Sequence, residues 1–391
     1  MRLFFFCFKK VSILQNFSNS LVILLRVLYN DKARRKFVNK KQSVISVILS
    51  VCIVLAIICL AFVLQSKHIM KQSFFNNHSI GQRKKNSSAK TPESSEPAPQ
   101  VIEKTAEEKQ AIVDADAARM DALGLHYDYA NLTLPQVVQT YMDEMGIDHA
   151  NIAFSYKNTK TNEVIAMNET QPMTAGSTYK LPLNMLAVDA VEKGKLSMDT
   201  PYDITDLDYE YAGEYQAYRN QFGNDMTISE MQEYSLVYSE NTPAYAMAKA
   251  LGGFDKVYPM FKRYGQSKGD IKTIDQNGNK TTTDYYIQVL DYLWKHQDKY
   301  ADILNYLSQS FPNLYYKTYL PDIDIRQKPG YVREALNIDA IVYEQTPYLI
   351  AIYTAGLGGV TSDNDEVNGL GYSQLCQLTY VINEWHRVNR N

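Results

Sequence analysis

Residues 43–64 run for 22 positions without a charged side chain, and no other stretch constrains this chain so strongly. A helix of that length crosses the roughly 30 Å hydrocarbon core of a bilayer. The run is longer than the apolar core of a signal peptide and lacks a small-x-small cleavage site, so it reads as a permanent anchor. Seven basic residues lie within 20 positions upstream of it and four within 20 positions downstream. The richer side stays in the cytoplasm. The expected topology is a single-pass protein of the cell membrane, with its N-terminus cytoplasmic and its C-terminal part extracellular.

Around that anchor the chain divides into four parts. Residues 1–42 are a basic cytoplasmic segment, either interfacial or an over-extended start of the reading frame. Residues 65–126 form an extracellular linker or stalk. Asn, Ser, Lys and Pro dominate it as far as residue 100 and bury too little apolar surface to fold, while the Ala- and charge-rich residues 103–123 read as a helix, a stalk or an arm lying on the domain. Residues 127–391 are the globular domain. Of the 40 Lys and Arg, 16 fall in residues 1–90 beside one acid, Asp31, so the rest of the chain is strongly acidic. That balance argues against nucleic acid as a partner.

Within the domain, Val137, Val138, Tyr141, Met142 and Met145 mark one face of a helix behind Pro135. Two short strands follow, over residues 151–156 and 163–167. Residues 201–260 read as mainly helical, with Tyr209, Tyr211, Tyr215 and Tyr218 expected to pack in the ordinary way, the alternative being that they line a cleft and stack against a substrate. Residues 267–284 are a polar loop before a helix over 285–296. Residues 338–343 and 348–354 read as a hairpin, and Leu375, Leu378, Ile382 and Trp385 as the core stripe of a last helix. The expected fold class is α+β, its sheet assembled from both ends of the domain.

Chemistry enters at Ser177 and Lys180, which stand at i and i+3 where a helix begins, hence on one face. A hydroxyl becomes a nucleophile when a neutral amine within hydrogen-bond reach takes its proton. Spacing alone is weak, since Ser87 and Lys90 repeat it in a segment that does not fold. Two further motifs supply the context. Ser239-Glu240-Asn241 precedes a helical run, and Lys328-Pro329-Gly330 leads into the C-terminal strands.

With Ser177-x-x-Lys180, these resemble the S-x-x-K, S-D-N and K-T-G set of class A β-lactamases and penicillin-binding proteins over residues 130–391. The resemblance implies a β-lactamase-like fold: an antiparallel sheet flanked by helices plus an all-helical subdomain. It implies Ser177 as nucleophile, Lys180 as base and Ser239 as the proton relay to the leaving nitrogen. Asn241 would bond the substrate amide, Lys328 would attract its carboxylate, and the backbone N–H groups of Ser177 and Tyr331 would form the oxyanion hole beside Gly330. Lys180 must lose its proton, and burial together with the second cation Lys328 pushes it that way.

Three departures stand out. Glu240 replaces the family's Asp, and Pro329 removes a hydroxyl that would bond the substrate carboxylate. Residues 267–284 contain no glutamate to activate the deacylating water; Asp270 and Asp275 read there as solvated turn residues. The resulting expectation is a serine hydrolase or acyltransferase acylated at Ser177 by a β-lactam or a peptidoglycan-like peptide, and slow to deacylate. The alternative is a catalytically silent module that binds cell-wall peptides. No metal or organic cofactor is implied, because the six histidines lack metal-ligand spacing. Cys376, the only cysteine in the domain, reads as buried and structural. Gly356-Leu357-Gly358-Gly359 reads as a turn.

Overall fold

The computed structural model describes residues 103–391, apart from 208, 210–212, 333 and 359–366. The expected anchor at residues 43–64 and the basic segment before it lie outside the described residues, as does Tyr211. Among the described residues no helix is long and apolar enough to cross a membrane.

Ten helices are described in chain order: α1 (Ala106–Leu123), α2 (Leu134–Met145), α3 (Lys180–Glu192), α4 (Glu214–Phe222), α5 (Ile228–Val237), α6 (Asn241–Ala250), α7 (Phe254–Val257), α8 (Thr283–Lys295), α9 (Ala301–Gln309) and α10 (Gly369–Asn389). The strands are β1 (Ile152–Asn158), β2 (Val164–Met167), the short β3 (Met173–Thr174), β4 (Pro201–Asp203), β5 (Asp225–Thr227) and β6 (Lys280–Thr281), then β7 (Asp324–Val332), β8 (Ala335–Tyr343) and β9 (Tyr348–Thr354). Five of them make one antiparallel sheet in the order β2-β1-β9-β8-β7. Because β1 pairs with β9, Phe154 opposite Ile352, the two ends of the domain meet in the middle of the sheet.

Both faces of that sheet are covered, which its alternating side chains make possible. Tyr348, Ile350 and Ile352 point to a core shared with Val137, Tyr141, Leu378 and Trp385 of α2 and α10. Leu349, Ala351 and Tyr353 point the other way, to a core shared with α3, α5, α6 and α8. Helix α3 is buried nearly all round, with Leu181, Leu183, Met185, Leu186 and Ala187 inside. Asp189 near its end receives Arg263 at 2.5 Å, Lys299 at 2.7 Å and the hydroxyls of Tyr264 and Tyr300. Burial works against the Asp189 carboxylate, but these donors hold it down at about 2.

Three features differ from expectation or decide an alternative. The C-terminal part of the sheet is three-stranded, because Lys328-Pro329-Gly330 lies inside β7. Proline and glycine conceal a strand from a propensity reading, yet proline is admissible here because, among the described residues, β7 is the edge and pairs with β8 alone. Residues 103–123 take the arm form. Helix α1, closed by a Thr105–Glu108 capping box, buries Met120 in the α2–α10 core, and Asp116 meets Arg387 at 2.5 Å. The tyrosines of the helical middle pack on one another, Tyr209 on Tyr215 at 5.2 Å and Tyr218 on Tyr234 at 6.4 Å between ring centroids.

Candidate active site

Ser177 lies in a single 3-10 turn, Gly176–Tyr179, that runs straight into α3. Pro182 stands in the first turn of that helix, where a missing N–H is tolerated. Two glycines let the turn and the edge strand touch. Gly176 has φ +58°, and a Cβ there would come within 3.2 Å of the Tyr331 backbone nitrogen. A Cβ on Gly330 would meet Ala175 O at 2.8 Å and the Thr178 nitrogen at 3.1 Å. The Ser177 turn and the backbone at Gly330 and Tyr331 can approach this closely because neither glycine carries a side chain.

Lys180 is fully buried and its Nζ lies 3.0 Å from Ser177 Oγ. The same nitrogen donates to the Ser239 carbonyl at 2.6 Å and to Asn241 Oδ1. Ser239 comes from the loop before α6 and holds a left-handed φ of +61°, a conformation that turns its carbonyl to Lys180 while its hydroxyl accepts from Lys328 Nζ at 2.8 Å. Lys328 also donates to the Pro329 carbonyl at 2.7 Å. Burial pushes the Lys328 ammonium well below its ordinary range, the neighbouring Lys180 adds to that, and Asp339 opposes both.

Ser177, Lys180, Ser239, Asn241, Lys328, Gly330 and Tyr331 thus come from three separate parts of the chain to one place. Glu240, the first departure, is half-buried and accepts from the Tyr218 hydroxyl at 3.4 Å. Asp275 accepts the Gly278 N–H at 2.9 Å and closes the turn leading into β6, while Asp270 is exposed. Asp284 anchors the start of the same loop by accepting the Lys268 N–H at 2.6 Å.

Sequence reasoning missed the polar layer beneath the site. Asn337 donates to the Thr174 carbonyl at 2.6 Å, which fixes the approach to the Ser177 turn. The Tyr353 hydroxyl lies 2.8 Å from Thr178 Oγ1 and 3.0 Å from Asp339 Oδ2. The usable signal was Asn337 and Asp339, two polar residues at i and i+2 in an otherwise apolar strand, hence on one face. Elsewhere, the Cys376 thiol is buried and lies 3.4 Å from Thr318 Oγ1. Among the described residues no cluster of His, Cys, Asp or Glu has the geometry of a metal site.

The model of the beta-lactamase enzyme family matches residues 136–372. The chain belongs to that family.

Its structure also resembles those of beta-lactamases at low identity. One from Burkholderia vietnamiensis is 16% identical with a TM-score of 0.55, covering 67% of this chain and 99% of its own. One from Chitinophaga pinensis DSM 2588 is 15% identical with a TM-score of 0.52, covering 63% and 97%. The TLA-3 extended-spectrum beta-lactamase is 19% identical with a TM-score of 0.53, covering 64% and 96%. At such identities the likeness is one of fold. No curated protein matches the chain. Family and fold together are those of a serine hydrolase of the beta-lactamase-like type.

Proposed function

We propose that the protein is a membrane-anchored, extracellular serine hydrolase or acyltransferase that takes an acyl group onto Ser177 from a β-lactam or a peptidoglycan-like peptide and releases it slowly. The observation that carries this reading is the set of three oxygens around Lys180 Nζ. A neutral amine has two N–H donors and one lone pair. The three oxygens suit an ammonium; on losing one proton Lys180 keeps the Ser239 carbonyl and Asn241 Oδ1 as acceptors and turns its lone pair to the hydroxyl of Ser177. That is the protonation state a general base needs.

In this scheme Ser177 Oγ attacks the substrate carbonyl carbon and Lys180 takes the serine proton. The oxyanion gathers on the N–H groups of Ser177 and Tyr331, aided by the start of α3. On collapse the C–N bond breaks, and the leaving nitrogen takes a proton from the Ser239 hydroxyl, which the proton held on Lys180 replaces. Asn241 bonds the substrate amide and Lys328 draws its carboxylate, with no help from a hydroxyl at Pro329. Slow release follows from the loop 267–284, which contains no glutamate and spends Asp275 on its own turn. Residues 43–64 would hold the domain at the outer face of the membrane.

Labelling with a fluorescent penicillin, followed by a chase, tests this. A Ser177-dependent adduct that persists through the chase is expected. No covalent mass gain with any penicillin or acyl-D-Ala-type substrate, in wild type as in Ser177→Ala, sinks the reading. Saturable binding of wall fragments without an adduct would then make the protein a silent binding module.

A further inference from the structure

The sheet beneath the site holds a buried acid that the acylation scheme does not use. Asp339 on β8 stands directly opposite Lys328 on β7, and cross-strand partners point to the same face. Both side chains are shielded from solvent, with 1% and 0% exposure. Asp339 Oδ2 lies 3.0 Å from the Tyr353 hydroxyl, and Oδ1 has no hydrogen-bond partner among the described residues. A carboxyl group placed between Ile338 and Ala340 and left half-satisfied is costly, so it needs a compensating interaction.

That interaction is electrostatic. Burial disfavours the Lys328 ammonium, and Lys180 from α3 disfavours it further whenever it holds a proton. The hydroxyls of Tyr285 and Tyr286 from α8 and of Tyr353 from β9 face the same region and are held neutral by burial. Among the described residues, the Ser239 hydroxyl and the Pro329 carbonyl accept from Lys328, and Asp339 is the charged group that acts on it in the favourable sense. We propose that Asp339 is a positioning residue that acts through Lys328, its carboxylate being the counter-charge that keeps Lys328 an ammonium directed at Ser239 and the substrate carboxylate. Burial pushes the Asp339 carboxyl upward while Lys328 and the Tyr353 hydroxyl draw it back, so each member of the pair supports the charge of the other. Between them the pair retains one proton across the neutral range, and the unfolded chain retains one as well. Removing the acid breaks that balance: Lys328 alone then loses its proton in the folded state at a lower pH than in wild type.

The inference rests on the acyl-serine reading, and two measurements on the full chain in detergent separate them. The first is the pH profile of the acylation rate with fluorescent penicillin. The second is the melting temperature across about pH 6 to about pH 9. In Asp339→Asn the alkaline limb of acylation should fall by about one pH unit. The melting-temperature deficit of the variant should shrink as pH rises, because its folded state sheds a proton that its unfolded state keeps. An unchanged alkaline limb with a constant deficit overturns the proposal. If wild type is never labelled, the acyl-serine reading fails by itself; a deficit that still shrinks with pH keeps Asp339 as the counter-charge, and a constant one removes it. If Asp339→Asn does not fold, Tyr353→Phe replaces it, because loss of that hydroxyl weakens the carboxylate and should shift both readouts in the same direction by less. A Tyr353→Phe protein that matches wild type in both readouts overturns the proposal.

Discussion

Lys328 Nζ donates to Ser239 Oγ over 2.8 Å, so the edge strand and a loop of the helical layer meet at one hydroxyl. The same serine presents its carbonyl to Lys180 at 2.6 Å while its backbone holds φ +61°. A non-glycine residue in that region is strained by about 1–2 kcal/mol, and two lysines hold it there.

Ser239→Ala and Ser239→Gly are expected to divide strain from chemistry. Both remove the hydroxyl proposed as proton relay, so acylation by a labelled penicillin should slow by on the order of 10²-fold or more in each. Glycine relieves the left-handed strain that alanine keeps, so the glycine variant should be the more stable by about 1 kcal/mol in urea unfolding. Equal stabilities, or near wild-type acylation in either variant, would contradict the assigned role.

Gly330→Ala addresses the approach of β7 to the Ser177 turn. Its Cβ would fall 2.8 Å from the Ala175 carbonyl oxygen and 3.1 Å from the Thr178 nitrogen, both backbone atoms that do not swing aside. The strand must retreat, at a cost of about 1–3 kcal/mol. A retreat on the order of 1 Å parts the Tyr331 N–H from the Ser177 N–H, and acylation should drop by about 10²-fold. Stopped-flow labelling and thermal melting read the two effects separately.

Much of the site was legible in the chain because its chemistry is written in short local motifs. Ser177 and Lys180 share a helical turn, and Ser239 and Asn241 flank a helix start. The sheet was legible where an apolar and aromatic run is unbroken, as in β9, which is buried on both faces. It was not legible in β7, where Pro329 and Gly330 imitate a loop and only the edge position of the strand admits them. The layer of Asn337, Asp339, Tyr353 and Thr178 was missed for another reason. Its members are brought together by strand register and by one helix start, and no local window contains them.

Helix α1 allows stability to be changed without touching the site. Met120 is 1% exposed and packs in the core on the sheet face opposite to α3. Met120→Ala should cost about 2–4 kcal/mol, measured by urea unfolding. The rate of Ser177 labelling in the folded variant should stay within about two-fold of wild type, because effects confined to one face of a sheet leave a separate cluster largely unchanged. A large fall in labelling would show that the arm is coupled to the site.

Two buried groups on α10 should give stability opposite dependences on pH. His386 is fully buried with Nδ1 2.7 Å from the Tyr156 hydroxyl, and burial lowers its pKa from 6.5 to about 3, the cations Lys104, Arg390 and Arg387 helping. Its neutral form stabilises the fold fully above pH 6.5, and that stability is lost as pH falls from there, by about 2 kcal/mol at pH 5. Glu384 runs the other way. Burial, reinforced by Asp116 and opposed by Arg387, raises it from 4.5 to about 8, so its contribution is full below 4.5 and is lost as pH rises toward 8. In wild type the two slopes oppose each other between 4.5 and 6.5 and largely cancel. His386→Gln should leave the glutamate slope alone, with stability falling as pH rises through that window. Glu384→Gln should leave the histidine slope, with stability rising to pH 6.5 and then level. Melting curves at a series of pH values decide it: variants that differ from wild type by constant offsets would mean that neither group titrates as its burial requires.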